Sequence, residues 1–290
     1  MKQLTILSGK GGTGKTTITA SFATLVKNAV IVDCDVDAPD LHMLLNPKII
    51  QVEEFKGSKM AFINETKCTK CNLCQEKCRF NAISDSFKVN PFACEGCGVC
   101  TIVCPVKAIT LIERTSGQVY ISKTEYGFMT HAILSPGEAN SGKLVTLVRY
   151  KARMVAEKEK SDFIIIDGSP GIGCPVIASI TGVDAGLVVT EPSISGIHDL
   201  KRALKLLAHF NILPSVCVNM YDINYVNTKR IIKFCEEMNI EVVGKVPFST
   251  IVTEAMVDGK PVIKYAPKSD VAVELAKMWA NMYTILKAKR

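Results

Sequence analysis

No apolar run in this sequence approaches a membrane span. The longest, such as Phe163–Ile166 and Gly186–Val189, are a few residues against the ~20 that a bilayer demands. The amino end also lacks the layout of a secretory leader, because Met1-Lys2-Gln3-Leu4 runs straight into a strand pattern with no apolar stretch and cleavage site ahead of it. The expectation is a cytoplasmic protein with no membrane partner. Nor is there a block of charge of one sign. The net charge of +7 is spread along the chain, which reads as a solvated basic surface rather than a nucleic-acid-binding face. With 48% hydrophobic and 22% charged residues, the composition excludes disordered and fibrous classes. A chain of 290 residues can bury a large core in one or two domains. What the sequence does have is cysteine. Twelve of them in a chain expected in the cytoplasm argue for metal rather than disulfides, and eight lie between Cys68 and Cys104.

The first strand is predicted over Gln3–Leu7, followed by Gly9-Lys10-Gly11-Gly12-Thr13-Gly14-Lys15-Thr16-Thr17. Gly9 to Thr16 fits the phosphate-binding pattern G-x-x-x-x-G-K-[ST] between a strand and a helix. Glycines let the backbone fold into a nest of N–H donors around phosphate oxygens. The helix predicted to start near Lys15 points its positive end at the same anion. Lys15 supplies a charge for the β- and γ-phosphates, and Thr16 a hydroxyl for Mg²⁺.

Apolar strands and helices then alternate. Strands are predicted over Val30–Asp33, Phe128–Leu134, Asp162–Asp167, Gly186–Thr190, Ser215–Val218 and Glu241–Val246, and helices over Lys143–Lys160, His198–Phe210 and Thr228–Met238. Continuous apolar strands separated by helices indicate an α/β protein whose mostly parallel sheet is covered on both faces. Ligands in such sheets bind beyond the carboxyl ends of the strands, where the phosphate loop, Asp35 and Asp167 fall.

Lys10-Gly11-Gly12-Thr13-Gly14-Lys15-Thr16-Thr17 resembles the deviant P-loop of the MinD, ParA and nitrogenase iron-protein superfamily, marked by the early lysine, here Lys10. The resemblance covers nearly the whole chain outside the cysteine region and implies a P-loop ATPase that is slow, Mg-dependent and dimer-dependent. In that family the early lysine reaches the partner subunit's nucleotide. Asp33-Cys34-Asp35-Val36-Asp37 looks like switch I, with Asp35 matching the carboxylate that contacts the attacking water; Asp33 and Asp37 could equally be solvated loop carboxylates. Ile166-Asp167-Gly168-Ser169-Pro170-Gly171 looks like the Walker B strand running into switch II, with Asp167 holding a water on Mg²⁺. Asn219 matches the adenine-reading asparagine, and Pro247 and Phe248 resemble the segment near the base. The resemblance implies an ATP-dependent homodimer, or a heterodimer with a related ATPase, with Gly11, Gly12, Thr13, Gly14, Lys15, Thr16 and Thr17 binding ATP or ADP.

The runs Cys68-x₂-Cys71-x₂-Cys74-x₃-Cys78 and Cys94-x₂-Cys97-x₂-Cys100-x₃-Cys104-Pro105 both fit the spacing of bacterial two-cluster ferredoxins, in which the fourth cysteine ligates the other cluster. That pattern gives Cys68, Cys71, Cys74 and Cys104 to one 4Fe–4S cluster, and Cys94, Cys97, Cys100 and Cys78 to the second. Cys78 is followed by Arg79 instead of proline, a positive charge expected to raise one potential relative to the other. The insert is placed at 58–112, with edge strands at Ala61–Asn64 and Ala108–Leu111, and the ATPase domain at 1–57 and 113–290. The connecting stretch Leu41–Gly57 is a possible transmitter of switch motion. An insert this small has a marginal apolar core, so clusters would staple it. Its lysines and arginine outnumber its acids, a counter-charge for anionic clusters rather than a nucleic-acid surface. The arrangement resembles MinD-superfamily ATPases carrying an inserted ferredoxin domain.

Cys174 lies where the nitrogenase iron protein has a bridging-cluster ligand, but the second cysteine that such a site needs is absent from 135–142. A half-buried helix-start residue is expected there instead. Cys34, Cys217 and Cys235 are expected in the core. The C-terminal C-x-x-C of the cluster-carrier branch is also absent. Asp270–Arg290 reads as a docked core helix rather than a membrane-binding one. The function expected is an ATPase coupling nucleotide state to electron transfer through two clusters, with an unidentified redox partner. The alternatives are a cluster-assembly or metalloprotein-maturation factor and a non-catalytic positioning ATPase.

Overall fold

The computed structural model describes residues 1–138 and 141–288; Ala139, Asn140 and, from the predicted last helix, Lys289 and Arg290 lie outside the described residues. In chain order the elements begin with β1 (Lys2–Ser8), α1 (Lys15–Leu25), β2 (Ala29–Asp33), α2 (Leu41–Leu45), β3 (Lys48–Phe55) and β4 (Ser58–Ile63). Next come α3 (Leu73–Glu76), α4 (Val99–Val103), β5 (Ile109–Arg114), β6 (Gly117–Thr124), β7 (Gly127–Leu134), α5 (Ser141–Lys158), β8 (Phe163–Pro170) and α6 (Cys174–Ile180). The chain closes with β9 (Ala185–Thr190), α7 (Ile194–His209), β10 (Leu213–Asn219), α8 (Tyr225–Glu237), β11 (Glu241–Val246), α9 (Thr250–Val257), α10 (Val262–Tyr265) and α11 (Asp270–Ala288).

Nine strands form one sheet in the order β11-β10-β9-β1-β8-β2-β7-β6-β3. From β11 to β7 every described pairing is parallel, the α/β architecture expected. The apolar runs explain it: Leu4, Ile6, Ile31, Ile165, Ile166, Leu187 and Val188 are wholly buried, so the strands need cover on both faces. β6 and β7 are joined by two residues, a link too short for anything but an antiparallel pair.

Two compact units emerge. The first comprises Met1–Val52, Val119–Ile133 and Ser141–Arg290. Its last helix, α11, buries Val271, Leu275, Met278 and Met282, and Trp279 packs against Phe22 with ring centroids 5.2 Å apart. Burial stabilises by roughly 1.5–3 kcal/mol per such aliphatic side chain, which holds α11 in the core. Among the described residues no helix is long and apolar enough to cross a membrane. The second unit comprises Glu53–Gln118 and Leu134–Asn140 and contains the stretch 58–112. It reaches further than that stretch because Ser116 N–H donates to Phe55 O (2.7 Å), Ser135 N–H donates to Ser116 O (2.9 Å), and Glu138 accepts from Ser58 Oγ (2.9 Å) and pairs with Arg114.

The stretch Leu41–Gly57 is more than a connector, since it carries α2 and the outermost strand β3. Nearly all of β3 is exposed, so it shows none of the in–out alternation by which a half-buried strand is recognised.

Candidate functional site

β1 delivers the chain to a loop in which Gly12 and Gly14 take positive φ, 75° and 93°. Gly14 has a second constraint, because a Cβ there would lie 2.4 Å from Asn219 Nδ2. That amide donates to Thr13 O at 2.8 Å, so the asparagine at the end of β10 holds the phosphate loop directly. Ser8 Oγ donates to Lys10 O at 2.5 Å, tightening the turn before α1 opens at Lys15.

Three carboxylates sit beside this loop. Asp33 and Asp167 are register neighbours on β2 and β8, and both are buried. Asp167 Oδ1 accepts from Thr19 Oγ1 at 3.0 Å. Burial pushes the Asp167 carboxyl up to about 6 against the opposing pull of Lys15 and the hydroxyls of Thr16 and Thr19. Burial and then the charge of Asp167 push Asp33 well up. Of the pair, Asp167 has the cation facing it and is the better placed to stay ionised. Burial also raises half-buried Asp35, with Lys15 opposing. Asp33 is thus no solvated loop carboxylate. Its oxygens accept from Asp35 N–H at 3.0 Å and Leu41 N–H at 3.2 Å, fixing the loop between β2 and α2. The loop after β8 is tied to the same place, with Ser169 Oγ donating to Cys34 O at 2.5 Å and Cys34 N–H to Asp167 O at 2.8 Å.

A cavity of about 350 Å³ opens over the start of α1. Of the residues singled out by sequence, Gly12, Gly14, Lys15, Thr16, Thr17, Asn219, Pro247 and Phe248 line it. Gly11 is exposed, and Thr13 is buried with its Oγ1 unpartnered. Phe248 is positioned by its N–H, which donates to Asp222 Oδ1 at 2.7 Å. The wall also includes Asp40, Met43 and Leu44 around α2, Val252 and Met256 from α9, and Val271 and Leu275 from α11. No local motif could reveal these, since three helices distant in sequence bring them together. Lys10 lies apart from the cavity. Its Nζ is 2.5 Å from Glu191 Oε1 and 3.0 Å from Ser195 Oγ.

In the second unit β4 and β5 pair antiparallel over a small core of Ala61, Ile63, Cys74, Ile83 and Ile109. The short helices α3 and α4 each start after a left-handed residue, Asn72 (φ 64°) and Gly98 (φ 79°). The structure brings the eight clustered cysteines together by fours. Cys68, Cys71, Cys74 and Cys104 line one cavity, and Cys78, Cys94, Cys97 and Cys100 line another. Backbone N–H groups aim at three of the sulfurs: Ala108 at Cys104 (3.2 Å), Ala82 at Cys78 (3.4 Å) and Ala61 at Cys94 (3.5 Å). Four thiols with N–H donors behind them suit a thiolate-ligated iron–sulfur group. Among the described residues, no three of His, Cys, Asp and Glu close on one point as a single ion requires.

The remaining cysteines divide. Cys34, Cys217 and Cys235 are buried, and burial raises the thiol of Cys217 to about 12 and that of Cys235 to about 11. Cys174 opens α6 and is exposed, as are Ile172 and Gly173 before it, not half-buried as expected.

The sequence profile of the CobQ/CobB/MinD/ParA nucleotide binding domain matches residues 4–262. An uncharacterized protein of Methanocaldococcus jannaschii is 37% identical over 232 residues, covering 78% of this chain and 80% of its own length. An iron-sulfur cluster carrier protein of the same organism is 20% identical, covering 90% of this chain and 77% of its own length. The septum site-determining protein MinD of Pyrococcus horikoshii OT3, solved with Mg-ADP, superposes with a TM-score of 0.62 at 18% identity, over 100% of this chain and 98% of that one. At that identity the likeness concerns the fold.

Proposed function

This chain belongs to the CobQ/CobB/MinD/ParA nucleotide-binding family, and we propose that it is a slow Mg-dependent ATPase that couples its nucleotide state to electron transfer through two 4Fe–4S clusters. The observation that carries the reading is the sorting of the cysteines. Eight thiols separate into two fours in the crossed pattern of two-cluster ferredoxins, in a chain whose other unit presents a phosphate loop and a buried lysine at one cavity, with Asp35 and Asp167 outside its lining but near enough to Lys15 to feel its charge.

The chemistry of the first site is positioning and charge. The glycine loop and the start of α1 would bind the phosphates, Lys15 would offset the charge of the β- and γ-phosphates, and Asp35 would orient the attacking water. Thr16 would hold Mg²⁺ and Asp167 a water on it, the ion supplying further positive charge to the phosphates. Asn219, Pro247 and Phe248, which line the same cavity, would face the base. The unit at 58–112 would hold the clusters, which supply one-electron chemistry; Cys68, Cys71, Cys74 and Cys104 would ligate one, and Cys78, Cys94, Cys97 and Cys100 the other. ATP would draw two copies together, or one copy and a related ATPase, and Lys10 would then leave Glu191 for the nucleotide of the other subunit. The decisive experiment is a redox titration of the anaerobically purified protein with and without a nonhydrolysable ATP analogue. Potentials that move with nucleotide support coupling, and potentials that do not move sink it.

The name of the carrier-protein relative favours a second reading, cluster assembly or metalloprotein maturation. Incubation with an apo-acceptor separates the two, since prompt loss of clusters to the acceptor supports maturation and retention supports electron transfer.

A further inference from the structure

The two edges of the nine-stranded sheet are finished differently. At one edge β11 is covered: Val243 and Val246 are buried, and Asn281 Nδ2 on α11 donates to Val243 O at 2.9 Å. At the other edge, β3 is bare. Ile49, Ile50 and Val52 are 58%, 59% and 49% exposed. Consecutive residues of a strand point to opposite faces, so both faces are open there, and β6 is its sheet neighbour on one side alone. An unprotected edge presents a row of unpaired N–H and C=O groups that template another strand.

The sequence of β3, Lys48-Ile49-Ile50-Gln51-Val52-Glu53-Glu54-Phe55, says which strand. Continuing the sheet across a two-fold axis perpendicular to it makes the new pair antiparallel and keeps each residue on its own face. With the axis at Gln51, Lys48 lies opposite Glu54 of the second copy, and Ile50 opposite Val52. One face then carries four apolar side chains in contact, closed at both ends by opposite charges. On the other face Ile49 lies opposite Glu53 and Gln51 opposite itself. No neighbouring register does as well: moving the axis to Val52 sets Ile50 against Glu54, and moving it to Ile50 sets Lys48 against Val52. Within the chain Lys48 has no ion-pair partner among the described residues, and Glu54 accepts a single hydroxyl, Thr115 Oγ1 at 3.1 Å, so both charges are available. Apolar and opposite-charge cross-strand pairs each contribute roughly 0.2–1 kcal/mol.

We propose that β3 is an isologous docking edge for a second copy of this chain, pairing antiparallel about Gln51. The contact is independent of nucleotide and of the clusters, and it lies on a different element from the phosphate loop. Strand pairing alone buries less than the ~1,200 Å² of a stable interface, so the association is weak and concentration-dependent.

The test is sedimentation equilibrium of the full chain without nucleotide, over a wide concentration range and at low and high salt. The wild type should show reversible dimerisation that weakens with salt. Lys48→Glu, which sets like charges against each other at both ends, should weaken it about tenfold, and Glu54→Lys alone should do the same. The double variant Lys48→Glu/Glu54→Lys re-forms both pairs and should return to within about twofold of wild type. Lys10→Ala should dimerise like wild type. Circular dichroism reports that each variant is folded, and the two single reversals back each other up. A wild type that stays monomeric throughout overturns the proposal, as does a dimer unmoved by both reversals or one that the double variant fails to restore.

Discussion

The two compact units hold their reactive atoms in opposite ways. In the first, the site is the meeting point of elements spread along the chain. Lys15 opens α1 after the loop that follows β1, Asp35 and Asn219 stand just beyond β2 and at the end of β10, and Asp167 lies within β8 opposite the last residue of β2. A large buried core keeps these elements in register. In the second, eight cysteines between Cys68 and Cys104 come from loops and two one-turn helices around a five-residue core. The first unit can keep its shape without ligand because burial pays for it. The second has little to bury, so its shape should depend on what the thiols hold.

The largest expected effect tests that contrast directly. Chelating iron from the holoprotein should open residues 53–118 to protease while the first unit stays resistant and still binds nucleotide by calorimetry. Equal resistance of both units before and after chelation would show that the second is held by its own core. Next in size, Lys15→Ala should lower nucleotide affinity by about 100-fold, the weight of a charge-assisted phosphate contact in a closed site, and leave the visible iron–sulfur absorbance untouched. Lys10→Ala should keep binding within about twofold yet slow hydrolysis at least about tenfold and abolish the ATP-linked part of dimerisation, since a charge supplied in trans is worth more than that in related phosphoryl transfers. Unchanged turnover and unchanged ATP-linked sedimentation would leave Lys10 as a partner of Glu191 alone.

A smaller effect concerns pH. Asp167 holds its proton to about 6 in the folded chain against an ordinary 3.8. Between those values the folded state binds more protons than the unfolded one, so nucleotide-free stability should fall as pH rises through that window. Asp167→Asn should flatten this part of the melting-temperature profile, whereas Ser169→Ala should not. Smallest of all, Arg79→Pro should narrow the separation of the two cluster potentials in protein-film voltammetry, with an unchanged separation counting against a role for the Arg79 charge.

The same contrast explains what could be read in advance. The cysteine spacing and the phosphate loop are local, since backbone geometry over a few residues dictates where a sulfur or an N–H can point, so Cys68 to Cys104 and Gly9 to Thr16 stand out from spacing alone. The apolar strands β1, β2, β8, β9 and β10 are equally legible because burial on both faces demands apolar runs. β3 is not, because an exposed edge strand obeys neither rule. Asp33 reads as a loop carboxylate until its neighbour across the sheet, Asp167, is known. Met43, Met256 and Leu275 look like ordinary helix residues until α2, α9 and α11 are packed around one cavity.

By itself the sequence determined the chemistry on offer: a phosphate-binding turn, and two sets of four thiols at a fixed spacing, features that need only short-range geometry. Tertiary structure alone decided the burial of Asp33 beside Asp167, the grip of Asn219 on Thr13, the partnership of Lys10 with Glu191, the exposure of Cys174 and the bare edge at β3. Each of these depends on residues far apart in the chain, whose approach is set by packing and by which surfaces packing leaves uncovered.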